Sequence, residues 1–206
     1  WRAPKVGLGG SFDLFSREAL LLVNNVLLTV AAGAVLIGTL YPLFLDALDL
    51  GKISVGPPYF EAVFVPLMAP LVLLIGIGPL ARWKAARWSD ISRPMCVTGG
   101  LAVLFALWLP LLFGRWSPLV ASGLALGLWS IGASLAQIIM RARGGTAGFS
   151  TRLASIPRAH WGMMLAHAGV GVFIIGVTMV KSFETAVDVR MAAGDTTTVG
   201  GHAFTF

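Results

Sequence analysis

The residues in this sequence best suited to chemistry are two histidines in one long apolar run. His160 and His167 are seven residues apart, a spacing that places both on one face of an α-helix, about 10 Å apart along its axis. Gly171 follows one turn beyond His167 and leaves space for a flat group or for another backbone. Neutral imidazole is a common axial ligand of haem iron and can also carry protons. Three interpretations of His167 therefore stay open: a cofactor ligand, a proton relay, or a buried polar group bonded to a neighbouring helix.

The sequence offers few residues for other kinds of catalytic site. The sequence has three histidines and one cysteine, in no zinc-binding pattern, and the two membrane histidines are too far apart for a compact tetrahedral site. Cys96 stands alone, which excludes an internal disulfide, and we expect it to be a packing residue near a helix start. We find no serine–histidine–acid set and no phosphate loop, so the catalytic residues stay unassigned.

The composition indicates a membrane protein. Of 206 residues, 57% are hydrophobic and only 12% are charged, about half the charge of a soluble domain. The net charge of +6 does not indicate a nucleic-acid partner, because the basic residues lie in short loops beside apolar runs, where they set membrane orientation.

The apolar runs predict five transmembrane helices. We expect these spans at residues 19–43, 63–80, 95–113, 118–140 and 161–180. Two prolines, Pro57 and Pro58, are expected to prevent a helix in the loop before the second span. Basic loops are expected at 81–94 and 141–159.

The last residues change character. Apolar and polar residues alternate over 183–191, which predicts a strand, followed by a turn at 193–195 and a second strand from Thr196. The predicted fold is thus an all-α polytopic membrane bundle of about five transmembrane helices over 1–180. The start of a small β-rich extramembrane domain, incomplete here, follows over 181–206.

The distribution of Lys and Arg predicts the orientation. Eleven of them lie in residues 1–18, 81–94 and 141–159, and four lie elsewhere. By the positive-inside rule the first group is cytoplasmic. Residues 44–62 and 181–206 are then expected on the outer side of the membrane.

Four blocks of the sequence, taken in order, resemble the CcmF family, the large membrane subunits of the haem lyase of bacterial cytochrome c maturation (System I). The blocks are SREALLLVNN at 16–25, GTLYP at 38–42, KISVGPPYF at 52–60 and HWGMMLAHAG at 160–169. The resemblance covers nearly the whole chain and corresponds to the C-terminal part of the family protein. It implies a piece of a longer polypeptide in the bacterial inner membrane, with residues 44–62 and 181–206 periplasmic.

The resemblance implies an enzyme that attaches haem covalently to the CxxCH thiols of apocytochrome c at the periplasmic face. Haem is then a transient substrate, and the implied partners are apocytochrome c, a haem chaperone, a thiol-reducing subunit that presents the apocytochrome, membrane lipid and quinol. A b-type haem between two membrane histidines is also implied. His167 matches one of them, with His160 as fallback and Gly171 as clearance for the haem ring.

The tryptophan-rich segment of the family, the histidines flanking it and the other membrane histidine have no match in this sequence. The chain by itself is therefore expected to be inactive, and the second haem ligand is expected to lie outside it.

Two other functions are compatible with the residues. A transporter or channel subunit would line its pathway with Asn24, Asn25 and His167, but it predicts an internal repeat, and we find none. A haem-binding anchor of a quinone-linked complex would need histidines on two spans, and this sequence supplies one such span.

Overall fold

The computed structural model of the chain describes residues 16–80, 88–112, 114, 116–143 and 148–206. Five of its helices are long and apolar enough to cross a membrane, which confirms the predicted helical membrane bundle. The helices are α1 (Arg17–Ala47), α2 (Pro57–Ile77), α3 (Trp88–Leu112), α4 (Pro118–Arg143), the short α5 (Phe149–Ala154) and α6 (Arg158–Phe183). A 3-10 turn, Gly78–Leu80, extends α2.

Helix α2 begins earlier than its apolar run. Pro57 and Pro58 occupy its first positions, after Gly56 as N-cap in an extended conformation. The expectation that these prolines prevent a helix is wrong, because the first N–H groups of a helix have no intrahelical partner and a fixed φ suits that position.

The expected basic loops are largely helical where the structure describes them. Helix α3 begins at Trp88, so only 81–87 of the expected 81–94 loop is left, and those residues lie outside the described ranges, as do residues 1–15. Helix α4 continues to Arg143 and α5 occupies Phe149–Ala154, so the expectation of a loop over 141–159 is also wrong. Helical backbone satisfies its own hydrogen bonds past the end of the apolar run. Cys96, in turn, is exposed on α3 rather than packed inside.

Helix α4 lies at the centre of the bundle and contacts α2, α3 and α6. Its Trp129 lies against α2 and α3: the indole Nε1 donates to the Leu73 carbonyl at 3.2 Å, and the ring lies against Gly76 and Gly99. At Gly76 a Cβ would lie 2.5 Å from the indole, so the small residue makes room for the large one.

Helix α1 is attached mainly through α2. Tyr59 of α2 donates to the Ala34 carbonyl at 3.0 Å, and its ring fills the space that a side chain at Gly38 would occupy. This contact orients the α1–α2 pair, which forms one wall of the candidate site.

The C-terminal residues form a two-stranded antiparallel hairpin, β1 (Thr196–Val199) and β2 (His202–Thr205), with Thr196 opposite Thr205. Gly200 and Gly201 turn the chain with φ of 60° and 84°. The strand expected over 183–191 is wrong: α6 ends at Phe183, and residues 184–191 have no regular secondary structure. A strand needs a neighbouring strand for its backbone hydrogen bonds, and β1 pairs with β2 instead.

Candidate functional site

His167 lies near the middle of α6, half-buried, beside a cavity between α1, α2 and α6. Its Nδ1 is buried and has no hydrogen-bond partner within the described part of the chain. The cavity has a volume of about 200 Å³. Most of the residues that line it are apolar, among them Leu20, Leu74, Ile75, Pro79 and Met163. A buried imidazole with an unsatisfied nitrogen is costly, so a ligand that satisfied it here would stabilise the folded protein.

Helix α4 holds α6 from the other side. The Ser130 hydroxyl donates to the backbone carbonyl of His167 at 2.7 Å, and Met164 is fully buried. A carbonyl oxygen has two lone pairs, so it can accept this bond in addition to one within its own helix. The contact fixes the depth and rotation of α6 at the level of the imidazole.

Gly171 lies in the tightest part of the α4–α6 contact. A Cβ there would lie 2.5 Å from the Gly127 carbonyl oxygen, and one at Gly127 would lie 2.9 Å from the Gly171 carbonyl oxygen. Small residues allow such close approach between membrane helices. Of the two uses expected for Gly171, the structure favours close approach of another backbone, and the space expected as clearance for a haem ring is filled by α4.

His160 lies in the first turn of α6, and its Nε2 is likewise buried without a partner among the described residues. Both histidines stay on one helix, and the fold does not bring them together. Gln137 of α4 is 4% exposed, and its Nε2 has no partner either. Because Ser130 lies opposite His167 in this antiparallel pair, Gln137, seven residues further on, lies at the level of His160. Sequence reasoning missed Gln137, although an amide inside an apolar run was a signal.

The two adjacent asparagines of α1 have different surroundings. Asn24 is half-buried and lines the cavity together with His167, whereas Asn25 is exposed. Only the first belongs to the candidate site, since successive helical residues point about 100° apart.

No group of three or more His, Cys, Asp or Glu side chains able to hold a metal ion is found within the described ranges. What α6 offers is a single imidazole beside an apolar cavity. Such a donor can supply one axial position of a metal centre whose other ligands come from elsewhere.

Comparison with known proteins gives relatives along the whole chain. The cytochrome c-type biogenesis protein CcmF of Pseudomonas aeruginosa is 42% identical over 209 residues, which cover 100% of this chain and 31% of that protein. CcmF of Escherichia coli is 38% identical over 207 residues, with the same two coverages. The cytochrome c-type biogenesis protein ccl1 of Rhodobacter capsulatus is 40% identical, covering 99% of this chain and 31% of its own length.

No family model matches the chain, and no solved structure matches it. The helices and the relatives together define the class, a multi-pass helical membrane protein. Within that class the chain belongs to the CcmF family, which confirms the resemblance drawn from the four sequence blocks. It spans about 31% of the length of the curated relatives it matches.

Proposed function

We propose that this chain is part of a haem lyase of the bacterial inner membrane, which attaches haem covalently to the CxxCH thiols of apocytochrome c at the periplasmic face. The observation that carries the proposal is whole-chain similarity to proteins named for cytochrome c biogenesis. The chain spans about 31% of those relatives, so the activity is proposed for the whole protein. Its proposed partners are apocytochrome c, a haem chaperone, a thiol-reducing subunit that presents the apocytochrome, membrane lipid and quinol.

The role proposed for this chain is to supply one axial ligand of a transmembrane b-type haem. His167 is the proposed ligand because it combines a half-buried imidazole, an unpartnered buried Nδ1 and an adjoining apolar cavity. One imidazole fits one axial position, and the cavity of about 200 Å³ is smaller than a porphyrin, so groups outside the described residues complete the site. The haem would supply a one-electron carrier when bound.

The surrounding residues give the proposed ligand its setting. Ser130 holds the backbone at His167, and the close contact of Gly127 with Gly171 sets the position of α6 against α4. Leu20 and Leu74 line the cavity from α1 and α2 with hydrocarbon. An apolar surround is one of the factors by which a protein tunes a haem potential.

A pyridine haemochrome spectrum of the detergent-purified full-length protein tests this role. We expect a b-type signal in the wild type, its loss in His167→Ala, and its retention in the matched control His160→Ala, whose histidine lies at the membrane edge. A thermal unfolding curve of each variant reports whether it is folded. Loss of haem in His160→Ala alone would move the ligand to His160, and a wild type without haem would contradict the proposal.

The proposed orientation has its own test. In the structure Lys181 at the end of α6 lies 3.4 Å from Glu61 near the start of α2, so these two helix ends lie on the same side of the bundle, proposed to be periplasmic. With Cys96→Ser as background, we expect Ser54→Cys to react with an impermeant thiol reagent in intact cells, and Ala85→Cys to react only after the membrane is opened. The opposite pattern would reverse the topology.

A further inference from the structure

One end of the α4–α6 pair carries four arginines and no acidic residue. They are Arg141 and Arg143 in the last turn of α4, Arg152 in the last turn of α5, and Arg158, the first residue of α6. The sequence contains no Asp or Glu from residue 91 to residue 183. Within the described part of the chain none of the four forms an ion pair. We call this surface the arginine end.

The opposite side of the bundle pairs its lysines with acidic residues. Lys181 in the last turn of α6 lies 3.4 Å from Glu61 of α2, and Lys52 lies 3.7 Å from Asp46 of α1. At the arginine end the counter-charge has to come from another molecule or from outside the described residues. Like charges gathered at one end of a helix pair repel one another and attract anions.

Packing holds the backbone that carries these arginines. Helix α5 lies against α4, and both Ala142 of α4 and Ile156, between α5 and α6, are buried. The side chains of Arg141, Arg143 and Arg158 are exposed. A packed backbone with exposed guanidinium groups is a preformed surface, so an anion can bind there with little ordering of the main chain.

Two aromatic rings accompany the arginines. Phe149, the first residue of α5, and Trp161, in the first turn of α6, are both exposed. Aromatic rings near the end of a membrane helix are typical of the headgroup level of the bilayer. A lipid offers hydrocarbon to the rings and a phosphate to the guanidinium groups, whereas a free anion offers only the second. The combination therefore favours a lipid.

We infer that the arginine end binds the headgroup of an anionic phospholipid. Arg143 and Arg158 donate to the phosphate oxygens, for which the planar guanidinium fork is well suited, and Phe149 and Trp161 lie beside the hydrocarbon of the same lipid. A cluster of four or more basic residues directly beside a membrane helix is typical of such recognition. The inference rests on the proposed function for the membrane location alone and involves neither His167 nor haem.

The experiment is native mass spectrometry of the purified full-length protein in detergent, titrated with phosphatidylglycerol or with phosphatidylcholine, whose headgroup has no net charge. The fraction of protein that retains lipid gives an apparent dissociation constant. We expect the wild type to bind phosphatidylglycerol more tightly, and Arg158→Gln and Arg143→Gln each to weaken that binding by about five-fold. Arg158→Lys keeps the charge without the planar fork, so its affinity should lie between those of the wild type and Arg158→Gln.

Arg190→Gln is the matched control, because it removes the same charge from an exposed arginine beyond the other end of α6. An equal loss in this control would overturn the inference, because it would report net charge alone. Unchanged binding in both arginine-end variants, or equal binding of the two lipids by the wild type, would overturn it as well. Displacement of phosphatidylglycerol by inorganic phosphate at the same concentration would show a site for free anions instead.

The outcome can be separated from that of the haem experiment. Gel filtration reports whether each variant is folded, and Arg143→Gln decides if Arg158→Gln is not. We expect the haem content of every folded variant to equal that of the wild type. Failure of the lipid inference would leave the proposed haem ligand unaffected, and a wild type without haem would contradict the proposed function while leaving the lipid result valid.

Discussion

Helices α1 and α4 are both long and apolar enough to span a membrane, yet they differ in burial. Helix α1 has 31 residues, of which only Ala19, Ala31 and Gly38 are buried. Helix α4 has 26 residues, of which ten are buried. Hydrocarbon solvates a leucine as well as a helix neighbour does, so apolarity does not drive a side chain inward in a membrane.

The buried positions of α4 show what replaces apolarity as the determinant of burial. Several are small or polar, among them Gly127, Ser130, Ser134 and Gln137. Small residues bring backbones together, and a polar group such as the Ser130 hydroxyl can bond to a neighbouring helix. Helix α6 has one closely packed face and one loosely packed face. The first lies against α4, and His167 on the second lines the cavity beside α1. The candidate site lies where the tightly packed and the loosely packed parts of the bundle meet.

The largest effect is expected from forcing α6 away from α4. Gly171→Leu places a side chain where even a Cβ would meet the Gly127 carbonyl, so we expect loss of the folded full-length protein from the membrane fraction. Gly169→Leu is the control, because a Cβ at Gly169 has nothing within 4 Å. Equal yields of the two variants, measured by fluorescence-detected gel filtration, would show that the α4–α6 contact is dispensable.

A pair of leucines tests burial itself. Leu124 of α4 is 3% exposed and Leu36 of α1 is 57% exposed. We expect Leu124→Ala to lower the free energy of unfolding by roughly 2 kcal/mol or more, because it leaves a cavity. Leu36→Ala should change it by less than about 0.5 kcal/mol. Denaturant titration in detergent measures both, and equal losses would mean that α1 is covered as closely as α4.

A smaller effect is expected from the hydrogen bond that joins α4 to α2. Trp129→Phe removes the Nε1 donor to the Leu73 carbonyl and should cost about 1 kcal/mol of unfolding free energy. The control is Trp108→Phe on α3, whose indole is exposed. A larger loss of unfolding free energy for Trp108→Phe than for Trp129→Phe would contradict the prediction, because it would mean that the exposed indole contributes more than the one that bonds α4 to α2.

The smallest effect is expected at Ser130. Ser130→Ala removes a side-chain bond to the His167 carbonyl, and such bonds between membrane helices contribute about 0.6 kcal/mol on average. Ser122→Ala is the control, since its hydroxyl bonds within its own helix to Leu119. We expect Ser130→Ala alone to shift the absorption spectrum of the proposed haem, because it loosens the backbone that carries His167. Identical spectra for the two variants would contradict this.

The sequence by itself determined the number of membrane helices and the relation of the two histidines. A span must hold about 20 apolar residues, and its backbone must satisfy its own hydrogen bonds. The number and length of the apolar runs therefore indicate five helices. The helical period then puts His160 and His167 on one stripe without reference to any other part of the chain. Four short blocks were enough to identify the family.

Only the tertiary structure decided which helix is central, which asparagine lines the cavity and what Gly171 contacts. These depend on partners distant in sequence: Asn24 of α1 lines the same cavity as His167 of α6, and Gly171 lies against Gly127. The pairing of β1 with β2, which left 184–191 without regular structure, is decided in the same way. Local patterns determine whether a segment is helical, whereas the face it buries depends on which surfaces fit together at close range.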